Sequence, residues 1–89
     1  MLDIVQSLHK NFPMPTIHRF ANMTIRVNVP DHRPPHVHVV MSDRRDAFVD
    51  LATLAMTSRT LRESDIADAL TWIEANRAYA IQVFTECNP

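Results

Sequence analysis

The stretch Asp31-His32-Arg33-Pro34-Pro35-His36-Val37-His38 holds three of the chain's five histidines. Imidazole can ligate a metal, carry a proton near neutral pH or hydrogen-bond a phosphate oxygen, so spacing has to narrow the choice. His36 and His38 stand at i and i+2, which on a strand puts both rings on one face. Pro34 and Pro35 restrict the backbone just ahead of that strand and should hold His32 near its start. Three readings follow. His32, His36 and His38 are candidate ligands of one metal ion, with zinc as the expected cation and Asp31 as the nearest carboxylate. The same three residues are candidate catalytic groups for acid–base work without a metal, as in a metal-independent ribonuclease. The third reading is a solvated sheet face with no chemistry.

The surrounding elements decide which side chains share that face. Alternation in 17–29 reads as a hairpin with Ala21-Asn22 at its tip. Phe20 then opposes Met23, Arg19 opposes Thr24, His18 opposes Ile25 and Ile17 opposes Arg26. Met23, Ile25 and Val27 point to the core with His18, which reads as structural. Arg19 and Arg26 point outward, where they become candidate substrate-binding residues beside His36 and His38, since arginine forks match phosphate oxygens. After the 30–35 loop, 36–41 alternates as a third strand. The "SDRR" turn leads to a fourth strand over 46–51, with Val39 opposite Phe48. In that register Val49 and Leu51 join His38 on the outer face and invite a partner there. A short fifth strand or irregular segment is expected near 54–56. Ser64 is the expected N-cap of one long helix to about Thr85, its stripe formed by Ile66, Leu70, Ile73, Ala80, Ile81 and Phe84. Arg77 falls within this stripe and needs an acidic partner. Asp50 is the expected one, as a structural ion pair.

The expected fold is therefore α+β. An antiparallel sheet of about four strands carries one long C-terminal helix on one face, as a single domain over 14–89. Residues 2–11 read as a short helix, so 1–13 is expected to be a helical extension, ended by the prolines of "FPMPT".

Composition sets outer bounds. The chain has 89 residues and a net charge of −1, so no global basic field marks it as a nucleic-acid binder, although a local patch is compatible. It contains no glycine, which argues against a glycine-rich phosphate loop and hands its turns to Asn, Asp, Ser and Pro. The single cysteine, Cys87, cannot form an internal disulfide and fits a reducing cytosol. No apolar run approaches the roughly 20 residues of a membrane helix, and 1–13 does not read as a signal peptide, so a cytoplasmic location is expected.

The strings "MPTIHRF" (14–20), "IRV" (25–27), "DHRPPHVH" (31–38) and "TWIEANR" (71–77) together resemble a small bacterial domain-of-unknown-function family. Its members begin MPTI-x-RF and carry DH-x-PPH-x-H, and some are DhiT toxins of type II toxin–antitoxin modules. The likeness covers residues 14 to about 84. It implies a cytoplasmic toxin encoded beside a small antitoxin, with Arg19, Arg26, Asp31, His32, Pro34, Pro35, His36, His38, Trp72 and Arg77 at the motif positions. The chain departs from the pattern in the segment 1–13 and in Asn22, where many relatives place glycine. The resulting expectation is a DhiT-like toxin component acting on RNA through a His/Arg surface. Its expected partners are an adjacent-gene antitoxin, RNA or a second copy of the chain, with no membrane role. The rivals are a small metal-binding protein or metalloenzyme, and a non-catalytic interaction module.

Overall fold

The computed structural model describes residues 15–89; the expected helix over 1–13 lies outside the described residues. Five strands form one antiparallel sheet in chain order: β1 (Thr16–Arg19), β2 (Met23–Arg26), β3 (His36–Met41), β4 (Asp46–Asp50) and β5 (Met56–Thr57). A 3-10 turn over Glu63–Ile66 leads into helix α1 (Ala67–Ala75), and α2 (Arg77–Cys87) follows. The α+β class is as the alternation implies. The element count differs, with five strands for about four and two helices for one.

The first hairpin keeps the expected pairing at its tip. His18 opposes Ile25, Arg19 opposes Thr24, and the Phe20 N–H donates to the Met23 carbonyl at 2.8 Å. Farther along, Thr16 rather than Ile17 opposes Arg26, because Ile17 is an extra residue in the ladder. His18 stacks on Trp72 of α1, ring centroids 4.7 Å apart and planes 19° apart, so it lies on the helix side as expected.

The β3–β4 hairpin differs from expectation by one residue, and the whole of β4 turns over as a result. Val39 pairs with Ala47, Val37 with Val49 and His38 with Phe48. The loop that closes it has three residues, Ser42–Arg44, with the Met41 N–H donating to the Arg45 carbonyl at 2.8 Å. Such a loop needs a left-handed residue, normally glycine, and Arg44 takes that conformation at φ 74°. With no glycine to mark it, the turn reads one residue too long, and a one-residue slip exchanges the two faces of a strand. Val49 and Leu51 are therefore fully buried in the core, and Phe48 is the residue left on the outer face, 43% exposed.

The core lies between one face of the sheet and the helices. Met23, Ile25, Val27, Val37, Val39, Ala47, Val49 and Leu51 meet Ile66, Ala69, Ile73, Ala80, Val83 and Phe84, all buried. Full burial of each large apolar side chain among them is worth about 1.5–3 kcal/mol. The 3-10 turn starts with the Arg62 N–H bonded to the Asp65 carboxylate at 2.8 Å, so Ser64 sits inside the turn instead of capping it.

The helix breaks at Asn76 (φ −122°, ψ 27°), whose side-chain amide donates to the Trp72 carbonyl at 2.9 Å. Asparagine commonly offers the backbone such a local alternative to continued helix. Ile73, Ala80 and Phe84 stay buried on either side of the break, and Arg77, which follows it, is half-buried. Its expected pair with Asp50 does not form. Asp50 opposes His36 and so faces away from the helices, and its carboxylate accepts the Ala52 and Thr53 N–H groups at 2.7 and 3.0 Å. Among the described residues Arg77 makes no ion pair.

Candidate functional site

Antiparallel pairing brings the outward residues of three strands together. Arg26 opposes His38, His38 opposes Phe48, and His36 opposes Asp50. His36 and His38 thus share a face, as their spacing dictates. Contrary to expectation they are not open to solvent, being only 8% and 7% exposed. The His38 ring meets Phe48 edge-on at 4.4 Å, and the His36 ring centroid lies 5.5 Å from that of Phe84.

The 30–35 loop folds over these rings and places a carboxylate against both. Asp31 Oδ2 lies 2.9 Å from His36 Nε2 and 3.0 Å from His38 Nε2. The other oxygen, Oδ1, accepts the His32 backbone N–H at 2.8 Å and lies 3.0 Å from His32 Nδ1. Burial works to raise the Asp31 pKa. The hydrogen bonds from His38 and the His32 amide and the charges of His36 and His38 outweigh it, and the carboxyl sits below its ordinary value.

The orientation of His36 follows from its other nitrogen. Nδ1 lies 2.8 Å from the Pro34 carbonyl oxygen, which can only accept, so Nδ1 carries a proton. Nε2 is then the atom offered to Asp31. Between a carboxylate oxygen at 2.9 Å and that nitrogen there must be either a second proton or a cation, because two lone pairs would repel.

Asp31 is held from the far end of the chain. Its backbone N–H donates to Asn88 Oδ1 at 2.7 Å, and the Asn88 amide donates to the carbonyls of Asn28 and Phe84 at 3.1 and 3.3 Å. The sequence marks Asp31 only as the closest carboxylate and gives no sign of Asn88, which is distant in the chain and belongs to no local motif.

Asp31, His36 and His38 therefore form the cluster, each offering one donor atom, with all three atoms within 4.8 Å of one another. His32, expected as the third ligand, points outward with its side chain 80% exposed. A cleft of about 250 Å³, lined by His36 with His32, Pro34, Phe48, Asp50 and Thr57, reaches the cluster on its His36 side.

The two expected substrate-binding arginines line a second concavity of about 560 Å³, together with Arg44, Thr24 and Ser42, and no carboxylate lines it among the described residues. Arg44 was missed by sequence reasoning, because the turn that aims it has no glycine to announce it. Among the described residues none of these three guanidiniums is in an ion pair.

Fold and site together define a small α+β protein whose polar sheet face carries a His/Asp cluster beside an arginine-lined cleft. Residues 23–84 match the family described as Domain of unknown function (DUF4160), and the chain belongs to that family. The match takes in the cluster and leaves Arg19 outside. No curated protein and no solved structure matches the chain. No helix among the described residues is long and apolar enough to cross a membrane.

Proposed function

We propose that this chain is the toxin-like component of a bacterial type II toxin–antitoxin pair, acting on RNA at the outer face of its sheet. The observation that supports this best is the ladder pair Arg26–His38, which joins the arginine-lined cleft to the Asp31–His36–His38 cluster. Three guanidiniums that form no ion pair among the described residues suit consecutive phosphates of a nucleic-acid backbone. Phe48, exposed beside His38, offers a base an aromatic surface to stack on. The reaction class is phosphodiester transfer, with the cluster as reacting centre. The adjacent-gene protein is the proposed antitoxin, and the cytoplasm, where RNA is accessible, is the proposed location.

The test is expression in cells with and without the adjacent gene, followed by RNA profiling. Growth arrest with RNA loss, relieved by the neighbour and absent in His38→Ala, is the expected result. In vitro, an Arg19→Ala/Arg26→Ala variant should bind single-stranded RNA more weakly, with a shallower salt dependence. RNA binding and growth arrest that are indifferent to all of these changes would leave the face as a protein-docking surface.

A further inference from the structure

We infer that Asp31, His36 and His38 hold a divalent first-row transition metal, for which zinc is the probe. The inference uses the cluster named above as the reacting centre but needs neither RNA nor toxicity to be correct.

Four features point to a cation rather than a structural hydrogen-bond knot. The donor set, two imidazoles and one carboxylate, is that of open catalytic zinc sites and of facial-triad iron sites, which leave coordination positions for water or substrate. The spacings fit. Ligands about 2.1 Å from an ion and at right angles to each other lie about 3.0 Å apart, and a tetrahedral ion spreads them to about 3.4 Å. The two spacings to Asp31 Oδ2 are 2.9 and 3.0 Å, close to the right-angled value, and the imidazole nitrogens lie within 4.8 Å of each other. The orienting shell is already present, since the Pro34 carbonyl fixes the His36 tautomer with Nε2 facing the cluster, as carbonyls do behind metal-bound histidines. Asn88 fixes Asp31 in the same way through the backbone. Finally, the rings are buried and Asp31's side chain is only 11% exposed, yet a cleft reaches His36. An isolated ion pair gains little from such burial, whereas a cation neutralises the carboxylate and satisfies both imidazoles at once.

The site differs from the one the sequence suggests. His32 is dispensable and Asp31 is required. A bound ion would stand beside Arg26, where it would polarise a phosphoryl oxygen delivered by the arginine-lined cleft.

The full chain is stripped with chelator and titrated with zinc chloride, with uptake read by calorimetry and by thermal melting. One zinc per chain and a raised melting temperature are expected. Asp31→Asn, His36→Ala and His38→Ala should each weaken zinc binding at least 100-fold, and His32→Ala less than threefold. If the alanine variants fail to fold, imidazole nitrogen resonances of the wild-type chain decide. Zinc should shift Nε2 of His36 and His38 and leave His32 and the protonated Nδ1 of His36 in place. Absence of stoichiometric uptake, or uptake that survives Asp31→Asn and requires His32, would overturn the inference. RNA cleavage that persists in chelator with the same imidazole dependence would overturn it too, while sparing the RNA reading.

Discussion

Replacing Asn88 by alanine tests whether the C-terminus of α2 holds the site together. The side chain makes three hydrogen bonds, accepting from the Asp31 N–H at 2.7 Å and donating to the Asn28 and Phe84 carbonyls at 3.1 and 3.3 Å. Each part-buried bond contributes about 0.5–1.5 kcal/mol, and an unsatisfied amide costs about 1–3 kcal/mol. The phenylalanine carbonyl keeps a partner, because the Asn88 backbone N–H also reaches it at 2.9 Å. The expected loss is therefore about 1–3 kcal/mol, a fall in melting temperature of about 5–15 °C for a domain of this size. Asp31 would also be less well oriented, and outer-shell losses typically weaken metal binding about 10–100-fold. Urea denaturation gives the first number and zinc titration the second. Asn88→Asp keeps an acceptor for the Asp31 N–H but sets a carboxylate oxygen against the Asn28 and Phe84 carbonyls, so it should be at least as destabilised as the alanine variant. An alanine variant as stable as wild type, with unchanged zinc affinity, would refute the clamp and with it the account of how Asp31 is placed.

Four further outcomes follow from the observed faces and burial. Val49→Ala should cost about 1–3 kcal/mol, because it opens a cavity in the core. Phe48→Ala should cost under about 1 kcal/mol yet weaken RNA binding, and the reverse order in denaturation experiments would restore the slipped register. Arg77→Ala should change stability by less than about 1 kcal/mol, since it strands no carboxylate; a loss of several kcal/mol in melts would point to a charged partner outside the described residues. Burial, aided by the Glu86 carboxylate, pushes the Cys87 thiol up to about 11 from an ordinary 9.0. The folded state then binds this proton more tightly than the unfolded chain. Its contribution is fully present below pH 9 and is lost as pH rises through 11. Wild type should lose stability over that window more steeply than Cys87→Ala, and native Cys87 should alkylate far more slowly at pH 8 than in urea, both readable by mass spectrometry and denaturation.

Local pattern determined much of this protein. Alternation with period two identified the first three strands and their core faces, because a pleated strand must turn every second side chain the same way. His36 and His38 had to share a face for that reason alone, and Arg26 lies beside them because the β2–β3 ladder pairs it with His38. The stripe of Ile66, Ile73, Ala80 and Phe84 found the helical layer. Tertiary structure decided what local pattern could not encode. Arg44 in a left-handed conformation shortened one loop by a residue and exchanged Val49 for Phe48 on the functional face, and no glycine marked the place. Asn76 broke the helix with its side-chain amide bonded to the Trp72 carbonyl, and the β4 register turned Asp50, the expected partner of Arg77, to the opposite face of the sheet. The third member of the cluster is Asp31 rather than His32 because a loop's path depends on what anchors it. Here the anchor is Asn88, 57 residues away, and only the folded chain brings that amide to the loop.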